Sequence, residues 1–348
     1  MMQEHTFHTD ETLQLESGEL LKGFTLKYCT FGKTNKDKSN VVWVSHALTG
    51  NADVASWWGG LFGEECLFNP KEHFVICVNV LGSCYGSTGP LSINPDTGKP
   101  YFHQFPKITI RDIVATLDIL RKHLEISKVH TLIGGSLGGQ QALEWAVTYP
   151  NLFENMILMS SNARHSPWGI AFNETQRMAI KADPTWQEDR PYAGYEGMKA
   201  ARAIAMLSYR NYETYDKTQF EEGNGIPETY RAASYQNYQG EKLAKRFNAY
   251  SYWVLSEAMD SHNIARGRES LDAALARIKA YTQVIGITTD ILFPIPEQRL
   301  IVRGIKNVTY EEINSTYGHD GFLVEMNQLD KSIRAFYKQK HKKQLIHG

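Results

Sequence analysis

The most informative segment of this 348-residue chain is Val129-His130-Thr131-Leu132-Ile133-Gly134-Gly135-Ser136-Leu137-Gly138-Gly139. A β-branched and apolar run leads into Gly-x-Ser-x-Gly, and residues 140–147 then show helical periodicity. The glycines two residues before and two residues after Ser136 leave room for a tight, strained turn that a Cβ atom would obstruct. Such a turn aims the hydroxyl at a helix N-terminus, where backbone N–H groups stabilise an oxyanion. The pattern predicts a nucleophilic serine; the alternative is a glycine-rich turn in another class of α/β protein.

The composition excludes several classes of partner and cofactor. A net charge of −1 gives no electrostatic reason to expect nucleic acid or an acidic membrane surface as a partner. No run approaches the ~20 apolar residues of a membrane span, and residues 1–12 are polar and acidic. The four cysteines show no Cys-x-x-Cys spacing, and we find neither a metal-ligand set nor a phosphate-binding or dinucleotide fingerprint. We therefore expect a cytoplasmic protein with no metal and no permanently bound cofactor.

Strand and helix patterns alternate along the first half of the chain. Compact β-rich runs lie at 41–45 and 74–80, start again at residue 129 and recur at 156–160, whereas residues 110–124 have helical spacing. Strands that alternate with helices predict a mostly parallel sheet covered by helices on both faces.

The pattern changes in the middle of the chain. From about residue 166 to 268, long helical segments such as 195–209 and 243–259 replace the strand-like runs. Strand patterns return at 282–287 and 308–313. We therefore predict an α/β fold with a core of residues 1–165 and 269–348, interrupted by a helical lid of residues 166–268.

A nucleophilic serine needs a base to remove its proton and an acid to orient that base. In a fold of this type both follow the serine, on loops after later strands. Asp290 comes directly after the predicted strand at 282–287, and His319 lies beyond the strand at 308–313 between glycines. The carboxyl ends of parallel strands meet at one edge of the sheet, so we predict a catalytic set of Ser136, Asp290 and His319.

An oxyanion hole needs two N–H donors near the serine. The backbone of Leu137, directly after the nucleophile, is the first candidate. The second donor is expected on the loop after an early strand, and Leu48 in Ser45-His46-Ala47-Leu48-Thr49-Gly50 fits that position.

Several segments together resemble the homoserine O-acetyltransferases of the α/β-hydrolase superfamily. The resemblance spans residues from about 15 to 325, nearly the whole chain. The segments that carry it are Ser45 to Gly50, Asn79-Val80-Leu81-Gly82-Ser83-Cys84-Tyr85-Gly86-Ser87-Thr88-Gly89-Pro90, Phe105-Pro106-Lys107-Ile108-Thr109-Ile110-Arg111-Asp112, Ile133 to Gln140, Ala171-Phe172-Asn173-Glu174, Tyr238-Gln239-Gly240-Glu241-Lys242, Asp260-Ser261-His262, Asp290 to Pro294 and Gly318-His319-Asp320.

The resemblance implies an α/β-hydrolase fold and transfer of an acyl group from acyl-CoA to the hydroxyl of L-homoserine, an early step of methionine biosynthesis. Ser136 would become acylated, His319 would act as general base and acid, and Asp290 would orient His319. Acetyl-CoA is the implied co-substrate, and CoA would leave before the amino acid enters. The family also implies a homodimer formed through the lid.

The resemblance assigns three residues to the acceptor. Arg202 and Tyr209 lie where the family binds the homoserine carboxylate, and Asp320 lies where it holds the α-amino group. A guanidinium group matches a carboxylate, and a carboxylate matches an ammonium group. The seven-residue spacing of Arg202 and Tyr209 predicts that both lie on one face of a helix. Without the resemblance, the favoured interpretation is that Arg202 is a solvated lid arginine and Tyr209 a packing aromatic.

Other functions stay open from the sequence. Within the same class, succinyl-CoA is an alternative donor and serine an alternative acceptor. A lidded serine esterase would use the same three catalytic residues, with water as the acceptor. A non-catalytic binding scaffold is a third class, against which the intact set of Ser136, Asp290 and His319 speaks.

Overall fold

The computed structural model describes residues 2–223, 225–226 and 228–347. Met1, Asn224, Pro227 and Gly348, which the predicted core and lid include, lie outside the described residues. Within this part of the chain one sheet has the strand order β1-β2-β4-β3-β5-β6-β7-β8. Its strands are β1 (Gln3–Gln14), β2 (Leu20–Phe31), β3 (Val41–Ser45), β4 (Phe74–Val78), β5 (Val129–Gly135), β6 (Phe153–Met159), β7 (Tyr281–Ile287) and β8 (Val308–Ile313).

Helices cover both faces of this sheet and fill the segment between β6 and β7. None of the helices in the described residues is both long and apolar enough to cross a membrane. They are α1 (Val54–Trp57), α2 (Ile110–His123), α3 (Leu137–Thr148), α4 (Pro167–Lys181), α5 (Tyr195–Tyr209), α6 (Tyr212–Gln219), α7 (Arg231–Ala244), α8 (Ala249–Asp260), α9 (Leu271–Ala276), α10 (Ile295–Gly304), α11 (Gly321–Val324) and α12 (Met326–His347).

The sheet is parallel from β4 to β8, as predicted, and its order creates a crevice. β4 pairs with one edge of β3 and β5 pairs with the other. The connections after β3 and β5 therefore leave in opposite directions, and the carboxyl ends of these two strands form the place where open α/β sheets bind ligands. The pairing of Ser45 with Gly134 brings the two loops side by side.

The central strands were predictable because they are buried on both faces. All five residues of β3 are buried, which gives the continuous apolar run typical of a parallel strand between two helical layers. One core cluster packs on each face of the sheet. Trp43 meets Trp145 edge to face at a ring-centroid distance of 4.9 Å on one face, and Trp58 packs near Phe62 and Phe322 on the other.

Two features differ from the sequence predictions. The chain begins with an antiparallel pair, β1 and β2, which the apolar periodicity did not indicate. β1 is an edge strand in which only Phe7 is buried, so it lacks an apolar pattern. The helix predicted at 243–259 is interrupted: α7 ends at Ala244 and α8 begins after Asn248, whose side chain accepts the N–H of Ser251 at 2.8 Å as an N-cap.

The two ends of the helical insertion between β6 and β7 are joined by backbone contacts. Arg164 and Asn263 form an antiparallel bridge, and the N–H of His165 donates to the carbonyl of His262 at 2.9 Å. Inside the insertion, Arg177 on α4 pairs with Asp260 on α8 at 2.6 Å. The boundaries of the lid at 166 and 268 stay a prediction.

Candidate active site

Ser136 occupies a strained turn between β5 and α3. Its φ of 57° and ψ of −126° are unusual for a residue with a side chain, and such conformations cluster at functional sites. The N–H of Ser136 donates to the carbonyls of Met159 at 3.0 Å and Ser160 at 3.2 Å, at the end of β6. The turn is thus held by the neighbouring strand, and the serine stands at the N-cap of a helix.

The glycines around Ser136 are required by close backbone contacts, as the sequence predicted. A Cβ atom on Gly138 would lie 2.0 Å from the carbonyl oxygen of Ser45, and one on Gly134 would lie 2.4 Å from the carbonyl oxygen of Gly138. Ordinary contacts of a Cβ atom begin at 3.4 Å. The start of α3 is therefore packed directly against the end of β3, where the loop that carries Leu48 begins.

The buried side chain of His46 holds the loop that carries Leu48 in place through two hydrogen bonds. The N–H of Val80 donates to its Nε2 at 3.2 Å, so Nε2 carries no proton and Nδ1–H donates to the carbonyl of Ala47 at 2.8 Å. Burial lowers the pKa of His46 to about 4, which keeps the ring neutral. The ring thereby ties the turn at Ala47–Gly50 to the residue two positions after β4, and Leu48 is buried within this turn.

Leu137, the other predicted oxyanion donor, is the first residue of α3. The N–H groups of a first helical turn have no partner within the helix and carry the positive end of its dipole. Leu137 directly precedes Gly138, and Leu48 follows Ser45 by three residues, so each is within three positions of a residue in the contact between Gly138 and Ser45.

Asp290 and His319 meet, although 29 residues separate them in sequence. His319 Nδ1 lies 2.7 Å from Asp290 Oδ2, and both side chains are buried. The other oxygen of Asp290, Oδ1, accepts the N–H groups of Leu292 and Phe293, each at 2.9 Å. Because both carboxylate oxygens of Asp290 have partners, the carboxylate is fixed and holds the imidazole ring in one orientation. Nε2 of His319 is the ring nitrogen that Asp290 does not contact.

Aromatic rings enclose His319 and link it to the serine turn. Phe293 stacks on the imidazole at a centroid distance of 5.1 Å, and Phe322 meets it edge to face at 5.2 Å. The ring of Phe322 also covers Gly135, since a Cβ atom there would lie 2.6 Å from it. The turn that carries His319 is therefore packed against the residue next to Ser136.

The three predicted acceptor residues, Arg202, Tyr209 and Asp320, are linked to the turn that carries His319. Arg202 Cζ lies 5.1 Å from the ring centroid of Tyr209, so the expected contact across one helix face is present on α5. The Tyr209 ring lies 5.7 Å from that of His319, to which Asp320 is adjacent. Within the described residues, Arg202 Nε is buried without a hydrogen-bond partner. A buried donor of this kind suits an incoming carboxylate.

Two arginines near the site were missed because their partners are distant in sequence. Arg246, between α7 and α8, donates to the carbonyl of Thr49 at 2.8 Å and to the hydroxyl of Tyr85, so the helical insertion reaches the loop that carries Leu48. Arg210, directly after Tyr209, forms an ion pair with Asp320. Only the position of Arg210 beside Tyr209 offered a sequence signal.

Among the described residues no cluster of His, Cys, Asp or Glu has the arrangement of a metal site.

Comparison with known proteins first defines the class. A family model described as alpha/beta hydrolase fold matches residues 40–325, in agreement with the sheet order and the serine turn. A solved esterase, E22, superposes with a TM-score of 0.88 at 26% identity over 97% of this chain and all of the other. Homoserine O-acetyltransferase from Bacillus anthracis gives the same TM-score at 24% identity, over 97% of each chain, which shows the fold alone.

Sequence comparison then gives the particular family. A curated homoserine O-acetyltransferase from Cyclobacterium marinum is 52% identical over 336 residues, which cover 97% of this chain and 95% of that protein. The chain therefore belongs to the homoserine O-acetyltransferase family within the α/β-hydrolase fold class.

Proposed function

We propose that the protein transfers the acetyl group of acetyl-CoA to the hydroxyl of L-homoserine in methionine biosynthesis, with Ser136 as the acylated residue. The observation that carries the proposal is the buried pair of His319 and Asp290, packed through Phe322 against a strained serine turn. The 52% identity to a homoserine O-acetyltransferase supports the choice of donor and acceptor.

The first half-reaction forms the acyl-enzyme. Nδ1–H of His319 donates to Asp290, so Nε2 is free to take the proton of the Ser136 hydroxyl as its oxygen attacks the thioester carbonyl. The N–H groups of Leu48 and Leu137 stabilise the resulting oxyanion. When the tetrahedral intermediate collapses, the carbon–sulfur bond breaks, His319 returns the proton to the leaving thiolate, and CoA departs as the thiol.

The second half-reaction uses the same groups in reverse. The hydroxyl of homoserine loses its proton to His319 Nε2 and attacks the acyl carbonyl, and the oxyanion again forms between Leu48 and Leu137. Collapse breaks the bond to the Ser136 oxygen, which regains its proton from His319. The product is O-acetylhomoserine, and the enzyme is restored without a net change in protons.

Acceptor binding falls to the groups around His319. Arg202, whose Nε is buried without a hydrogen-bond partner among the described residues, binds the acceptor carboxylate with help from Tyr209. Asp320 binds the ammonium group. Both charges of the amino acid are thus engaged, and the hydroxyl on its side chain is directed to the acyl group on Ser136.

An esterase is the second candidate, since esterase E22 shares the fold at a TM-score of 0.88. Transfer requires that the acyl-enzyme meets homoserine rather than water. Positioning of a bound acceptor is worth ~7–11 kcal/mol in favourable cases, enough to outweigh the abundance of water. The proposed lid of residues 166–268 supplies that position through Arg202 and Tyr209, which favours the transferase.

We further propose a cytoplasmic homodimer formed through the lid. Large apolar side chains are exposed on the helical insertion: Trp168, Met178, Leu207, Tyr212 and Phe220. Contiguous exposed apolar surface is typical of subunit interfaces, and the proposal takes these side chains as its contacts. A measurement of molar mass in solution tests this assembly, and a monomeric mass at micromolar protein concentration would contradict it.

The reaction is tested with purified protein, L-homoserine, and acetyl-CoA or succinyl-CoA in parallel reactions. Thiol release is followed over time, and the product is identified by its mass. Thiol release that depends on homoserine, with O-acetylhomoserine formed, is the expected result. L-Serine as acceptor tests the remaining alternative, and Ser136→Ala is the inactive control. Thiol release independent of any amino acid would identify a hydrolase, and O-succinylhomoserine would identify a succinyltransferase.

A further inference from the structure

Arg210 is a charged residue beside the acceptor site for which the reaction described above has no use. It directly follows α5, and its Nε lies 3.2 Å from Oδ2 of Asp320, an ion pair that does not have hydrogen-bond geometry. Its Cζ lies 5.4 Å from the ring centroid of Tyr317, a distance at which a cation interacts with an aromatic face. Both members of the ion pair are largely buried, with side-chain exposures of 18% for Arg210 and 15% for Asp320.

The backbone keeps this ion pair in place. Gly318, two residues before Asp320, has a φ of +62°, in the left-handed region that favours glycine. A Cβ atom on Gly318 would lie 2.9 Å from the carbonyl carbon of Arg210 and 3.1 Å from the carbonyl oxygen of Tyr209. The end of α5 and the His319 turn are thus in direct backbone contact, so Arg210 reaches Asp320 over a short and fixed path.

We propose that Arg210 is a positioning residue for the acceptor: its ion pair with Oδ2 holds the Asp320 carboxylate so that Oδ1 faces the substrate ammonium group. Within the described part of the chain no hydrogen bond to Oδ1 of Asp320 is present, and the ion pair with Arg210 has its shortest contact at Oδ2. The inference rests on the proposed function, since it concerns recognition of an α-amino acid. The two arginines then have different roles: Arg202 binds the carboxylate of the acceptor, and Arg210 pairs with the carboxylate of Asp320.

The electrostatics around Asp320 support this division. Burial raises the pKa of Asp320, and the guanidinium of Arg210 is the strongest influence that opposes the rise, followed by that of Arg202. An ammonium group binds well only to the ionised carboxylate. Without Arg210 the pKa of Asp320 would rise further, and the carboxyl group would take up a proton at a higher pH. The titratable and charged groups that face Asp320 are Arg202 and Tyr209 from α5, Arg210 directly after it, Tyr215 from α6, His319 from its own turn and Asp290 from the loop after β7.

The test compares Arg210→Met with the wild-type enzyme in the homoserine reaction. We expect the KM for homoserine to rise about tenfold, the scale of one charge-assisted contact, while the KM for acetyl-CoA changes less than about twofold. The acid limb of kcat/KM for homoserine should move to higher pH. Arg210→Lys, which keeps a positive charge, should bring the limb back towards its wild-type position.

A substrate analogue separates this role from a structural one. 4-Hydroxybutanoate has the hydroxyl and the carboxylate of homoserine but no amino group. The preference of the enzyme for homoserine over this analogue should fall about tenfold in Arg210→Met, because only homoserine uses Asp320. Arg334→Met, which removes an exposed arginine paired with Asp330 on α12, is the matched control and should leave the preference unchanged.

Two outcomes would overturn the inference. If wild-type enzyme transfers acyl groups to homoserine but Arg210→Met retains its KM, acid limb and preference, the role of Arg210 is wrong and the proposed function stands. If wild-type enzyme releases thiol without an amino acid acceptor, the proposed function fails and this inference fails with it. If Arg210→Met does not fold, Arg210→Gln is measured with the same expectations.

Discussion

Replacement of Gly138 by alanine tests how closely the oxyanion hole depends on the contact between α3 and the loop after β3. The substitution adds one methyl group to the second residue of α3. Alanine is a better helix former than glycine by about 1 kcal/mol, so the helix itself would gain stability. Any loss must therefore come from the contact of the new methyl group with Ser45.

The expected loss of rate in Gly138→Ala follows from the distances of the added Cβ atom to its neighbours. The added Cβ atom would lie 2.0 Å from the carbonyl oxygen of Ser45 and 3.2 Å from that of His46, whereas ordinary contacts begin at 3.4 Å. Both contacts are to backbone, so no side chain can turn away, and α3 must separate from β3 by about 1.4 Å. A displacement of this order at a catalytic group costs on the order of 10²-fold in rate, as does loss of one oxyanion donor.

The assay is the rate of thiol release from acetyl-CoA with saturating homoserine, together with the thermal unfolding midpoint. We expect kcat of Gly138→Ala to fall on the order of 10²-fold, with a folded protein and a KM for homoserine close to wild type. Gly223→Ala is the matched control, because a Cβ atom on Gly223 meets nothing within 4 Å. Its rate should equal that of the wild type.

A kcat for Gly138→Ala within about threefold of the wild-type value, in a protein with an unchanged unfolding midpoint, would refute the reasoning. It would mean that the two oxyanion donors do not need the spacing that the glycine contact imposes. If the variant fails to fold, Gly134→Ala, whose Cβ would lie 2.4 Å from the carbonyl oxygen of Gly138, tests the same turn from the strand side.

Two further predictions concern the buried titratable groups. Asp290→Asn should lower kcat about 10³- to 10⁴-fold, because an amide no longer holds His319 in the required tautomer. Labelling of Ser136 by a fluorophosphonate should slow in parallel. An unchanged labelling rate would contradict this role of Asp290. Burial lowers the pKa of His46 to about 4 and those of His165 and His262 to about 3, below the ordinary value of 6.5. Only the unfolded chain then takes up protons as the pH falls below 6.5, so the free energy of unfolding should drop by about 1.4 kcal/mol per pH unit for each histidine. Denaturant unfolding at pH 7.5 and 5.5 measures this, and equal values would exclude it.

The sequence predicted best what local pattern determines. β3 and β8 have the predicted bounds, and α5 spans the predicted 195–209, because each has a continuous apolar or helical pattern of its own. β1 escaped prediction because an edge strand with one buried residue carries no such pattern. The interruption of the helix at 243–259 depends on one cap, Asn248, in a segment without glycine breaks or proline.

The same division applies to the candidate site. The strained turn at Ser136 could be predicted from its neighbours, and the contact between Asp290 and His319 from the order in which they follow the late strands; their catalytic roles stay a proposal. Arg246 was not, because its contact with Thr49 joins residues 197 positions apart and exists only once the helical insertion is folded onto the core. A side chain whose role depends on such a contact leaves no local periodicity or spacing for a sequence reading to detect.

The choice between water and an amino acid as acceptor must lie outside the sheet and the serine turn. This chain and esterase E22 share the fold at a TM-score of 0.88, so the architecture alone does not select the acceptor. Under the proposed function, the groups that select it are Arg202 on α5, Arg210 directly after α5 and Asp320 in the His319 turn, which together carry two positive charges and one negative charge. A zwitterion matches that arrangement and water does not. Loss of acceptor discrimination should therefore come from changes at these residues, whereas changes at the serine turn should slow transfer to homoserine and to water alike.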